Sequence, residues 1–116
     1  MEAIAHLKYL RISPRKVSVV LDLIRNKPAK YAVAILQNTN KAAAEPVCKL
    51  LKSAMANAKN NNGVEQPGDL TVKLCVLDES VRMRRYWPTA RGSAHPIARR
   101  MCHCKVVLSD AKKGAK

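Results

Sequence analysis

The chain has 116 residues, with 22 Lys and Arg against 8 Asp and Glu, and a formal net charge of +14. Its length suits one domain spanning 1–116, and a hydrophobic share of 47% excludes a wholly disordered basic tail. Tyr9, Tyr31, Tyr86 and Trp87 are the only aromatics, which argues against a sheet that stacks bases across its face.

Ala3–Leu10 reads as a short strand with Ala3, Ala5, Leu7 and Tyr9 on one face. Ser13 then suits a helix N-cap and Pro14 the first helical position. Val17, Val20, Leu21 and Ile24 follow at helical spacing as one apolar stripe. Asn26 can close that helix in the left-handed conformation, and Pro28 stops it. A second helix is expected over Ala29–Gln37, with Ala32, Ile35 and Leu36 facing in. A third is expected from about Lys41 to Asn60, on the stripe Val47, Leu50, Leu51, Ala54 and Ala58. Pro46 cannot donate to the carbonyl of Ala42, so a kink or a late start is expected there.

Asn60-Asn61-Asn62-Gly63 ends the third helix, and Pro67-Gly68 marks a loop. The apolar period then changes to that of a strand. Leu70, Val72, Leu74 and Val76 alternate with Thr71, Lys73, Cys75 and Leu77, a half-buried pattern. Another strand covers Met101–Ser109, with Cys102, Cys104, Val106 and Leu108 on one face. Residues 111–116 read as a frayed basic tail. The expected fold is α+β, with three helices packed on a small antiparallel three-stranded sheet and a long protruding β-hairpin.

Charge concentrates between the last two strands. Residues 41–79 are balanced, whereas Ser80–Lys105 holds seven basic residues, six of them Arg, and no acid. Asp78–Arg100 is far longer than a hairpin loop of about 2–5 residues. Arg91-Gly92 suits a turn centre, and Val81–Trp87 and Ile97–Cys104 can continue the strands as a ribbon. Pro88 and Pro96 are tolerated because both strands of a ribbon are edges. Ten residues at ~3.3 Å each would carry the tip ~30 Å from the body.

Such a ribbon is marginal alone, and this one repels itself through Arg82, Arg84, Arg85, Arg91, Arg99 and Arg100. Folded RNA supplies the missing counter-charge, since Arg holds phosphate in two places and stacks on bases. Tyr86 and Trp87, beside Arg84 and Arg85, can stack on bases or on each other. A solubilising basic face and a disordered basic loop are the alternatives.

Several stretches of the chain, taken in order, resemble the bacterial-type large-subunit ribosomal protein twenty-two family. Arg11-Ile12-Ser13-Pro14-Arg15-Lys16-Val17 leading to Asp22-Leu23-Ile24-Arg25 is similar to that family's first helix. Asn38-Thr39-Asn40-Lys41-Ala42-Ala43 leading to Lys52-Ser53-Ala54-Met55-Ala56-Asn57-Ala58 resembles its third. Asp78-Glu79, Met83-Arg84-Arg85, Pro88, Ala90 and Gly92-Ser93-Ala94 resemble its extended hairpin, and Arg99-Arg100 through His103 to Val106-Val107 its return strand. Thr89 and Ser93 stand where the family often carries Arg, so the tip is less basic than usual.

The resemblance implies a structural constituent of the large ribosomal subunit that binds its ribosomal RNA and assists assembly. It implies an arm over 79–104 that runs inward, with a tip at Pro88, Thr89, Ala90, Arg91, Gly92 and Ser93 lining the nascent-peptide exit tunnel. The implied partners are large-subunit ribosomal RNA, neighbouring large-subunit proteins and the nascent polypeptide, on a cytoplasmic or organelle ribosome. RNA-binding candidates in the body are Lys8, Arg11, Ser13, Arg15, Lys16, Arg25 and Lys27. Those on the arm and return strand are Arg82, Arg84, Arg85, Tyr86, Trp87, Arg91, Arg99, Arg100, His103 and Lys105.

Other readings carry less. No apolar run approaches the ~20 residues of a membrane span, and Glu2, His6 and Lys8 break up any signal-peptide core. Neither a membrane nor a small-molecule partner is expected. Cys48, Cys75, Cys102 and Cys104 lack the spacing of a disulfide scaffold. Cys102-His103-Cys104 invites a metal reading, but strand alternation sends His103 away from the two cysteines and no fourth ligand is evident. Buried cysteines packing as small hydrophobes are the simpler reading, so no metal or cofactor is expected. No nucleophile, metal or phosphate-loop signature supports an enzyme. The class-different rivals are a helix-turn-helix DNA binder and a free RNA chaperone. Against the first, Ala29–Leu36 offers almost nothing to read base edges.

Overall fold

The computed structural model describes residues 2–110, so the tail expected at 111–116 lies outside the described residues. In chain order come β1 (Glu2–Leu10), α1 (Pro14–Asp22), α2 (Ala29–Gln37), α3 (Ala44–Asn62), β2 (Thr71–Pro88) and β3 (Ala94–Ser109). Single 3-10 turns lie at Pro67–Asp69 and Ala90–Gly92. The strands form one antiparallel sheet in the order β1-β3-β2. Three helices on a three-stranded sheet with a long β2–β3 hairpin is the α+β architecture expected. Among the described residues no helix is long and apolar enough to cross a membrane.

The core lies between the sheet and the helices. Val17, Val20 and Leu21 of α1, Ala32 and Leu36 of α2, and Val47, Leu51, Ala54 and Ala58 of α3 are buried against Ala3, Ala5, Val72, Cys102, Cys104, Val106 and Leu108. Alanine on both α3 and β1 keeps the side chains between them short. Asn57 Nδ2 donates to the Ile4 carbonyl at 2.9 Å, which closes part of the free edge of β1. The link between α1 and α2 does the same for β2. Asn26 N–H donates to the Val72 carbonyl at 3.0 Å, and Val72 N–H donates to the Lys27 carbonyl at 2.9 Å. Asn26 takes the left-handed conformation, φ 61°, that its place after α1 suggested.

The helices start and stop for the expected reasons, with two refinements. Pro46 delays α3 to Ala44 and does not kink it. It then sits in the first turn, where a backbone N–H has no intrahelical partner in any case. Gly63, φ 67°, closes α3. Ser13 does occupy the N-cap position of α1, but its hydroxyl makes no capping hydrogen bond.

Two strand faces differ from the expectation, both because of bulges. Val72 pairs with Leu108 and Leu74 with Val107, so Lys73 is an extra residue on β2. The bulge reverses the facing after Val72: Cys75 is buried while Leu74 is 45% exposed. In β1 the register shifts between Leu7 and Leu10, and Tyr9 takes φ 59° and turns outward instead of joining the core face. A third bulge lies between Glu79 and Arg82. Beyond it β2 and β3 leave the body together as a two-stranded arm, and the molecule measures 62 × 25 × 24 Å.

Candidate nucleic-acid interface

The arm is a continuous ladder from Arg82↔Arg100 to Pro88↔Ala94. It closes at residues 89–93, where Thr89 N–H donates to the Ser93 carbonyl at 2.8 Å. Arg91 and Gly92 both have positive φ, 63° and 73°, so the turn centre falls where expected. Residues paired across an antiparallel ladder share a face. One face therefore carries Arg82, Arg100, Arg84, Ala98, Tyr86 and Pro96. The other carries Met83, Arg99, Arg85, Ile97, Trp87 and His95. Tyr86 is 74% exposed and Trp87 58%, so neither belongs to a core.

Like charges directly opposite on a sheet are destabilising, yet Arg82 faces Arg100. Relief comes from Glu79, whose carboxylate accepts from Arg82 Nε at 2.7 Å. That hydrogen bond, with the guanidinium charge, holds the Glu79 carboxyl below the usual range. Arg84, Arg85, Arg91, Arg99 and Arg100 pair with no carboxylate among the described residues. Arg85 instead donates to the carbonyl of Arg84 at 2.8 Å.

Where the arm leaves the body, a cleft of about 650 Å³ is lined by Arg11, Ser13 and Lys16 from the start of α1 and by Met83, Arg99 and Arg100 from the arm. Body and arm candidates thus converge on one basic wall with no acid. The uncapped Ser13 hydroxyl belongs to this wall. Arg15 lies beside it, lining a second hollow with Lys16 and Lys41. Met83 and Lys41 were not among the RNA-binding candidates, because only the tertiary approach of arm, α1 and the entry to α3 brings them in.

Other candidates lie apart. His103 and Lys105 project from the sheet face opposite the buried cysteines. The His103 Nδ1 accepts from Tyr9 N–H at 3.0 Å, which places the neutral ring's proton on Nε2. The Tyr9 ring meets it edge-on at 4.8 Å. Lys8 is exposed just before that bulge and Lys27 in the α1–α2 link. Arg25 is tied into the fold: its guanidinium bridges Asp22 at 2.7 Å and the Cys75 carbonyl at 3.1 Å.

Cys75, Cys102 and Cys104 are buried free thiols. Burial pushes the Cys75 thiol up to about 11 and the Cys104 thiol up to about 12. Thiols held protonated in this way are poor nucleophiles. Among the described residues no three His, Cys, Asp or Glu gather where they could hold a metal.

The structure is a small α+β body with a long basic hairpin arm, the kind of build that the resemblance seen in the sequence implies. Comparison with known proteins agrees. The ribosomal protein L22p/L17e family matches residues 5–109. The chain is 51% identical over 112 residues to the large ribosomal subunit protein uL22 of Mycoplasma capricolum, covering 97% of this chain and 100% of the relative. It is 48% identical over 114 residues to uL22 of Myxococcus xanthus, covering 97% and 100%. Against uL22 of Staphylococcus aureus it is 45% identical over 116 residues, covering 100% and 98%. The chain belongs to the ribosomal protein L22p/L17e family, a family of structural proteins and not of enzymes.

Proposed function

We propose that the protein is a structural constituent of the large ribosomal subunit that binds large-subunit ribosomal RNA through the elbow cleft and the arm. The observation that carries this is the arm itself, on which Arg84, Arg85, Arg91, Arg99 and Arg100 pair with no carboxylate among the described residues and Tyr86 and Trp87 stand exposed. Its two faces offer guanidinium groups and aromatic rings to RNA on both sides, as insertion between RNA helices requires. Arg11, Ser13, Lys16, Arg99 and Arg100 hold backbone phosphates at the root, while Arg84, Arg85, Tyr86 and Trp87 contact RNA along the arm. Lys8, Arg15, Lys27, His103 and Lys105 extend the contact over the body. Arg25 supports it by fixing the end of α1.

The 1–116 chain acts as one unit, with the arm of 79–104 reaching inward and residues 88–93 on the exit-tunnel wall beside the nascent chain. Neighbouring large-subunit proteins are its other partners, and assembly of the subunit is the step it assists. Sucrose-gradient sedimentation of the tagged protein from lysate tests the reading. Co-migration with large subunits that survives a moderate salt wash and is lost on ribonuclease treatment is expected. Migration as free protein, or in a deoxyribonuclease-sensitive fraction, would overturn it.

A further inference from the structure

Beside the elbow cleft lies a second hollow of about 340 Å³, lined by Ile12, Arg15, Lys16, Val19, Lys41, Ala42 and Ala43. We propose that it receives a single nucleobase splayed out of the bound RNA. The inference rests on the RNA-binding reading above and adds a mode of contact to it.

Three observations favour a base. The lining is apolar in its aliphatic side chains and cationic in its other members, with Arg15, Lys16 and Lys41 and no acid. A base is an apolar plate on a negatively charged backbone, so the apolar and the cationic members of the lining match its two parts. The size sits at the small end of ligand pockets, about 300–1,000 Å³, where one ring system fits better than a helix. Finally, the hollow shares Ile12, Lys16 and Ala42 with the elbow cleft, so one RNA strand can lie across both. Two other hollows of comparable size both include Glu45, ion-paired with Lys49 at 3.6 Å, so neither has the wholly cationic set of charges found here.

Sequence-specific contact with RNA generally uses such unstacked bases, held on aromatic or guanidinium planes. Here the Arg15 guanidinium supplies the plane, and Val19, 53% exposed on α1, supplies the apolar wall. Val19 is otherwise an unexplained exposed aliphatic on a helix whose other valines are buried.

The test is a methyl-labelled NMR titration of the full chain with a ten-nucleotide single-stranded RNA of mixed sequence. An abasic ribose-phosphate oligomer of equal length is run in parallel. The methyls of Ile12, Val19, Ala42 and Ala43 are expected to shift with the RNA and stay still with the abasic oligomer, while backbone amides of the arm shift with both. Val19→Gln keeps the net charge and alters an exposed position. It is expected to weaken RNA binding roughly three- to tenfold and abasic binding hardly at all. Arm shifts with RNA but silent hollow methyls overturn the base pocket and leave the RNA-binding reading standing. No shift anywhere overturns both. Hollow shifts that appear with an acidic amphipathic peptide and not with RNA reassign the site to a protein partner.

Discussion

Replacing Arg84 and Arg85 by alanine removes two arm cations that pair with no carboxylate among the described residues. They lie on opposite faces of the ribbon, so the double variant probes contact on both. Neither supports the fold by more than the Arg85 bonds to its neighbours, so the protein remains folded. If each holds one phosphate, the slope of log K against log salt falls by about 0.7–0.9 per residue, or roughly 1.4–1.8 for the pair. At an ionic strength near 0.15 M, that slope change corresponds to roughly twentyfold weaker binding. Filter binding to large-subunit ribosomal RNA over about 50–300 mM salt measures both quantities, and circular dichroism checks the fold. A folded variant with an unchanged slope would show that the arm does not lie against phosphate, and the reading of the arm would have to be abandoned.

Three further outcomes follow from the geometry. Arg25→Ala cuts the tie to the Cys75 carbonyl and Asp22; urea unfolding should show a loss of about 1 kcal/mol, with a salt slope reduced by less than a single phosphate's worth. The Cys75 and Cys104 thiols are pushed up to about 11 and about 12 from the usual 9.0, chiefly by burial, so the folded state holds their protons more tightly than the unfolded chain. Their stabilising contribution is complete below about pH 9 and is lost as the pH rises toward those values. Under reducing conditions the urea midpoint should therefore fall from about pH 8 to about pH 10.5, and less steeply in Cys104→Ala. Gly63→Ala meets no atom within 4 Å but is held at φ 67°, so it should cost about 1 kcal/mol by strain alone, read as a lower melting temperature.

Where local chemistry decides, the sequence was legible. Ala29–Gln37, the left-handed Asn26, the helix end at Gly63, the turn at Arg91-Gly92 and the ribbon on either side of it all follow from propensity or from the positions of proline and glycine. Strand facing was not fully legible. Alternation reveals a period but not its phase across an inserted residue, so the bulge at Lys73 sent Leu74 outward and Cys75 inward. The outward turn of Tyr9 was hidden for the same reason. The interface was legible as a set of cations, but its grouping was not. That Ser13 and Met83 share a wall with Arg11 and Arg99, and that Lys41 joins Arg15, depends on contacts between residues far apart in the chain.

β2 and β3 are 18 and 16 residues long, and each is both a wall of the core and a rail of the arm. Mechanically the arm is a cantilever clamped by β1 and the helices at its root. A tug on the tip along its axis runs down both rails into the body, where β3 is hydrogen-bonded on both sides and resists in shear. A sideways push is concentrated at the bulge between Glu79 and Arg82, the one joint on the beam beyond the clamp. The arm is therefore stiffest along its own axis and bends most easily at a single place.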